Sequence, residues 1–276
     1  MKTLLLTVVA MIAFAANSLI CRLALGEGLI DAASFTAVRT ISGAITLALI
    51  VLPGWQKKEH PQVSWKSALM LFVYLAFFSF AYLSLSAGTG ALLLFGAVQL
   101  TMFTVALRSG ERFSGLSWIG LAMAVAGIVY LVLPGVTAPD PLGAMLMVIA
   151  GIAWGFYSLS GRGVGNPLAA TANNFLLAVP MAVMVSLLFI KEFQVSGEGI
   201  LLAMLSGSVT SGLGYVIWFA ALKYLTASRA ATVQLSVPAI AAIGGLFVLS
   251  EPITLRLIIA SAATLGGIAI VLKQKA

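Results

Sequence analysis

The chain has 276 residues, 61% hydrophobic and only 8% charged, with a mean hydropathy of +1.12. Soluble domains run near ~45–50% apolar and about 25% charged. So little charge cannot cover a water-facing surface, which excludes a soluble enzyme, a nucleic-acid binder and a disordered chain. Long unbroken apolar runs, in place of short alternating strands, also argue against a transmembrane barrel. The net charge of +7 comes from fifteen scattered Lys and Arg with no polybasic cluster, so it reads as an orientation signal.

A spanning helix needs about 20 largely apolar residues. In chain order the expected spans are 3–22, 32–52, 65–86, 90–108, 114–133, 142–161, 168–190, 198–221, 229–249 and 253–273. Breakers punctuate them: Gly26-Glu27-Gly28, Pro53-Gly54, Gly88-Thr89-Gly90, Pro134-Gly135, Gly165-Asn166-Pro167 and Glu251-Pro252. The expected fold is all-α integral membrane, ten transmembrane helices arranged as two inverted five-helix repeats. Loops are short, leaving no extramembrane domain. The first twenty residues also have the look of a secretory signal, with Lys2, an apolar run and Ala13-Phe14-Ala15. The repeat below uses the first span as a full member, which argues against cleavage.

Cys21 falls at the end of the first span, and the one histidine, His60, lies in a polar loop beside Lys57, Lys58 and Glu59. No Cys/His set for a metal and no catalytic cluster occur in the spans, so no cofactor, no metal and no enzymatic activity are expected. With the N-terminus in the cytoplasm, eleven basic residues face the cytoplasm (Lys2, Lys57, Lys58, Lys66, Arg108, Arg112, Arg162, Lys223, Arg229, Lys273, Lys275). Three face the other side (Arg22, Lys191, Arg256). Both termini are then expected to be cytoplasmic.

Offset by 140 residues, the chain resembles itself. Ala13, Ser18, Leu19 and Arg22 fall on Ala153, Ser158, Leu159 and Arg162; Phe14 falls on Trp154 and Phe78 on Trp218. Glu111 falls on Glu251 and Gly127-Ile128 on Gly267-Ile268. The halves are 1–137 and 138–276. Five helices per half is an odd number, so the second half enters the membrane from the opposite side. Inverted repeats of this kind are a common construction of secondary transporters, with the site near the midplane between the halves.

The chain resembles the drug/metabolite transporter superfamily, specifically ten-helix exporters built of two EamA-type repeats. The residues that carry the resemblance are Ala13 to Arg22, "AVRTISGAITLAL" with Arg39, and "SGERFSGLSWIGLAMAVAGIVYLV" from Ser109. In the second half they are "WGFYSLSGR" from Trp154, "WFAALKYLTASRAA" from Trp218 and "VLSEPITLRLIIASAATLGGIAIVL" from Val248. Within the superfamily the chain is similar to the YddG group, exporters of aromatic amino acids and related metabolites. The resemblance implies transport by alternating access.

Polar and aromatic residues inside spans mark a candidate substrate path, because hydrocarbon penalises them unless they face a cavity or a partner. Phe14, Asn17 and Ser18, and their repeat mates Trp154, Tyr157 and Ser158, each occupy one helical face. Tyr74, Phe78 and Tyr82 form a stripe in the third span. Ser208, Ser211, Tyr215 and Trp218 follow in the eighth. Gln99 and Gln234 lie deep in the fourth and ninth, and Pro238 is expected to kink the ninth. The substrate-binding set is thus Asn17, Phe78, Tyr82, Gln99, Trp154, Tyr157, Ser158, Tyr215, Trp218 and Gln234; the alternative for each is helix packing. Arg39, the one charge well inside a span, reads first as a tie between helices, with carboxylate or gate contact as the alternative. Asn173-Asn174 read as interfacial.

All eight carboxylates fall at expected helix ends or loops, and Glu111 and Glu251 are expected to cap the helices that follow them. Small multidrug relatives in the superfamily carry a membrane-embedded glutamate in their first helix; here that helix has Asn17. The expectation is therefore facilitated efflux of a small neutral amino acid by a functional monomer in the lipid bilayer. An organic-cation exporter using proton antiport would need a buried acid. A sugar-phosphate or nucleotide-sugar exchanger would need several buried bases.

Overall fold

The computed structural model of the protein describes residues 2–52, 64–161, 164–225 and 227–274. Its helices are α1 (Lys2–Gly26), α2 (Ala32–Val51), α3 (Trp65–Ala81), α4 (Ala87–Arg108), α5 (Gly115–Val132), α6 (Pro141–Ser160) and α7 (Pro167–Leu188). They continue with α8 (Gly197–Leu205), α9 (Gly214–Leu222), α10 (Ala227–Gln234), α11 (Ser236–Val248) and α12 (Leu255–Gln274). Among the described residues nine helical segments are long and apolar enough to cross a membrane, and α3 is a shorter apolar helix. The exterior carries the apolar side chains a bilayer requires, among them Leu4, Leu5, Ile45, Leu49, Leu187, Leu188 and Phe247. The chain is a multi-pass membrane protein.

Short polar side chains start the helices. Asp31, Ser64, Ser86, Ser114, Asp140, Asn166 and Ser196 each accept a hydrogen bond from the backbone N–H three residues on. Such caps satisfy amide groups that the first helical turn leaves without partners. The connections α1–α2 and α7–α8 are stitched together. Asp31 N–H donates to the Gln194 carbonyl at 2.8 Å, and Ser196 N–H to the Leu29 carbonyl at 2.9 Å.

Three expectations are corrected. The eighth span is not one regular helix: α8 passes through a π-helical stretch, Ser206–Leu213, before α9. The ninth, by contrast, is interrupted at Leu235 between α10 and α11, in keeping with the kink expected from Pro238. Pro238 has no N–H for the Gln234 carbonyl, and the Gln234 side chain donates to the Ala230 carbonyl at 3.3 Å. Cys21 lies inside α1, which runs on to Gly26, and is fully buried. Glu251 does not cap the helix after it. Ser114 caps α5, and the Thr254 hydroxyl accepts from Leu257 N–H at the start of α12. Lys57, Lys58, Glu59, His60 and Arg162 lie outside the described residues.

Packing follows small residues. α5 lies against α12 more extensively than any other pair of elements, and the contact is backbone to backbone. A Cβ on Gly120 would stand 2.6 Å from the Gly267 carbonyl oxygen, and one on Gly127 would stand 2.9 Å from the Ala260 oxygen. Further close pairs are α3 with α6, α2 with α7, α4 with α6 and α11, and α1 with α9 and α11. In lipid, where burial of apolar area gives no drive between helices, such close approach and its dispersion contacts hold the bundle.

Candidate functional site

The centre of the bundle is aromatic. Phe14 of α1 meets Tyr215 and Trp218 of α9 edge-on, at centroid distances of 6.1 and 5.9 Å. Trp154 of α6 lies 4.7 Å from Tyr74 of α3, 5.4 Å from Tyr157 and 5.4 Å from Tyr215. Phe78 lies 5.4 Å from Tyr74 and 4.8 Å from Tyr82. Phe175 of α7 closes the far side of Tyr215 at 6.1 Å. These offset and edge-on distances are those at which ring quadrupoles attract. All of these rings except Phe175 come from the spans the sequence marked: α1 and α3 with its end residue Tyr82 in the first half, α6 and α9 in the second.

Arg39 stands in this cluster with no exposed surface. Its guanidinium sits over Phe78 at 4.9 Å and near Tyr74 at 5.6 Å. Nη2 donates to the Tyr74 hydroxyl at 3.3 Å and the Ser211 hydroxyl at 3.4 Å. Nε and Nη1 are buried without a hydrogen-bond partner. Ser211 belongs to the π-helical stretch, whose backbone runs close to α2: a Cβ on Gly207 would collide with the Arg39 carbonyl and the Ser42 hydroxyl.

The marked polar residues divide into those facing this cluster and those tied elsewhere. Asn17 is buried, and its Oδ1 accepts from the hydroxyls of Ser206 at 2.8 Å and Thr210 at 3.0 Å, so it fastens α1 to the π-helical stretch. Tyr157 donates to the Thr171 hydroxyl at 3.3 Å. The Ser158 hydroxyl bonds back to the Trp154 carbonyl at 2.7 Å. Tyr82 is wholly buried; its hydroxyl donates to the Ala87 carbonyl at 3.3 Å and its ring packs over Gly90. Gln99 is apart from the aromatic cluster. It lines a cavity of about 500 Å³ with Phe103, Leu121, Leu159, Ala231 and Ile268. That cavity reaches Ser109 and Glu111, where α4 ends. Gln234 is held on its own helix.

Four participants were not marked by sequence: Ser206, Thr210, Phe175 and Asn174, the last being buried in place of interfacial. Ser206 and Thr210 share a face by their spacing of four, which is legible; that Asn17 stands opposite them is a tertiary fact.

The opposite end is closed by an ion pair. Arg22 Nε donates to Glu251 Oε1 at 3.0 Å, and Arg22 Nη1 reaches the carbonyls of Tyr82 and Leu83, both at 3.2 Å. Glu251 Oε2 accepts from Ala87 N–H at 2.8 Å, so this glutamate caps α4. One clasp thus joins α1, the α3–α4 turn and the α11–α12 connection. The seven described carboxylates stand in connections, at caps or in first turns, never in mid-span.

A multi-pass bundle with buried rings and hydroxyls at its centre is compatible with a membrane transporter, and comparison with known proteins gives that class. Residues 141–273 match the EamA-like transporter family. An uncharacterized protein of Pseudomonas aeruginosa is 50% identical over 99% of this chain and 96% of its own. An uncharacterized transporter of Archaeoglobus fulgidus is 25% identical over 79% of each chain. A solved structure described only as the crystal structure of a protein superposes with a TM-score of 0.69, covering 98% of this chain and 96% of its own at 18% identity, which shows the shared fold. The chain belongs to one family with the Pseudomonas protein and carries the EamA domain of the drug/metabolite transporter superfamily.

Proposed function

We propose that the protein exports small neutral amino acids, aromatic ones among them, from the cytoplasm across a bacterial inner membrane. The observation that carries this reading is the meeting of Phe14, Tyr74, Phe78, Trp154, Tyr215 and Trp218 around Arg39. Rings suit an apolar side chain, and hydroxyls and a guanidinium suit the polar end of the same molecule. The described spans hold no acid to meet an organic cation and only one buried base, where a sugar phosphate would call for several.

In this reading the halves 1–137 and 138–276 rock about the aromatic cluster. The Arg22–Glu251 clasp closes the outer end. Meanwhile the cavity at Gln99, which would admit substrate, faces the cytoplasm. The described spans place no carboxylate in mid-membrane to carry a proton, which supports facilitated efflux by a single chain. The test is uptake of labelled L-phenylalanine into proteoliposomes with each amino acid as competitor. Competition by Phe, Trp and Tyr above that by Ala and Ser is expected; flat competition across the set would discard the aromatic assignment.

A further inference from the structure

We infer that Arg39 is the receptor for a carboxylate, so that the transported ligand must carry one; this rests on the export reading and names the group that the site recognises. A guanidinium has five N–H donors. Nε carries one and Nη1 two, and none of these three has a partner. The remaining two, on Nη2, make only long bonds to neutral hydroxyls, at 3.3 and 3.4 Å. The side chain has no exposed surface, and no carboxylate among the described residues pairs with it. A helix tie built of arginine satisfies its donors on carbonyls or acids, as Arg22 does with Glu251, Tyr82 and Leu83. Arg39 does not. Its charge rests on the faces of Phe78 and Tyr74, an attraction weaker than an ion pair.

The placement of the two weak bonds links recognition to movement. Tyr74 is on α3 of the first half, and Ser211 is in the π-helical stretch of the second. A carboxylate arriving at the guanidinium makes shorter, charge-assisted bonds. It thereby replaces the two hydrogen bonds through which Arg39 reaches α3 and the π-helical stretch. The rings of Tyr215 and Trp218 follow that stretch within two turns, so the polar and aromatic parts of the site share one helical segment. π-helical turns inside α-helices are frequent at functional sites. Cationic and uncharged amphiphiles lack the group that releases this lock.

The experiment uses the full-length protein in detergent with three probes: L-phenylalanine, 3-phenylpropionate (no amine) and phenylethylamine (no carboxylate). Tryptophan fluorescence reports binding, and melting temperature reports folding. Binding of the first two, and at least tenfold weaker binding of the third, is expected. Arg39→Met should abolish binding of both carboxylates, and Arg39→Lys should weaken it at least tenfold while keeping it detectable. Without ligand, Arg39→Met should melt no lower than the unsubstituted protein, because an under-partnered buried charge gives little back. A structural tie predicts the opposite, a clear fall. Equal binding of phenylethylamine and L-phenylalanine, which needs no variant, would overturn the inference and leave amino-acid export standing. Arg39-dependent binding of 3-phenylpropionate without L-phenylalanine would keep the inference and remove the amino-acid reading. Binding of none of the three would remove both.

Discussion

Replacing Glu251 by Gln should loosen the end of the bundle where α1 finishes. The carboxylate holds two groups, Arg22 Nε at 3.0 Å and Ala87 N–H at 2.8 Å. A hydrogen bond to a charged group contributes about 1.5–3 kcal/mol and a neutral one about 1. The amide keeps a neutral acceptor and loses the charge, a gross loss of about 1–2 kcal/mol. The side chains are 25% and 14% exposed, so water returns part of it. A net of about 1 kcal/mol remains, roughly a fivefold shift of an open–closed equilibrium. The chain carries its own reporter. Its one cysteine, Cys21, precedes Arg22 and is fully buried. A membrane-impermeant maleimide applied from that side should label Cys21 about fivefold faster in Glu251→Gln. Arg22→Gln should behave alike, and the double variant should label little faster than either single one, because the two share one interaction. Labelling at the unsubstituted rate in both single variants, with unchanged melting, would refute the idea that this pair holds the end shut.

Three further outcomes follow from packing. Gly127→Leu should force α5 from α12, since even a Cβ there meets the Ala260 oxygen at 2.9 Å; overpacking of about 1–3 kcal/mol should appear as lower melting temperature and membrane yield. Asn17→Ala leaves the buried Ser206 and Thr210 hydroxyls without their shared acceptor and should cost about 2 kcal/mol, read by thermal unfolding. Trp154→Ala removes contacts to Tyr74, Tyr157 and Tyr215 and should weaken L-phenylalanine binding about tenfold while leaving Tyr82 and the clasp in place, read by fluorescence of the remaining tryptophans.

What could be seen from sequence depended on whether the signal was local. Spans are local: twenty apolar residues between Gly, Pro, Ser or Asp caps place themselves, and nearly every helix was legible. The aromatic candidates Trp154, Tyr215, Trp218 and Phe78 were legible too, because an aromatic on the same face as polar residues stands out in a span. Glu251 was not. Its cap is on α4, 164 residues away, and its arginine is on α1, so proximity in sequence pointed to the wrong helix. Tyr82 was marked by its place in the α3 stripe and does pack on Phe78, whereas Gln99 was picked for chemistry alone and the fold takes it to a separate cavity. The π-helical stretch had no separate signature, because its glycines and hydroxyls read equally well as close helix contact. Arg39 was visible as a charge in a span, but whether its donors were satisfied is a tertiary property.

The central claim is carrier-mediated, uncoupled export of an aromatic amino acid. Its most direct test is counterflow in proteoliposomes with equal pH on both sides. Vesicles preloaded with unlabelled L-phenylalanine should draw in labelled L-phenylalanine transiently and above its external level, and imposing a pH gradient should not change the rate. No counterflow for any neutral amino acid, or accumulation that appears only with a pH gradient, would contradict the account.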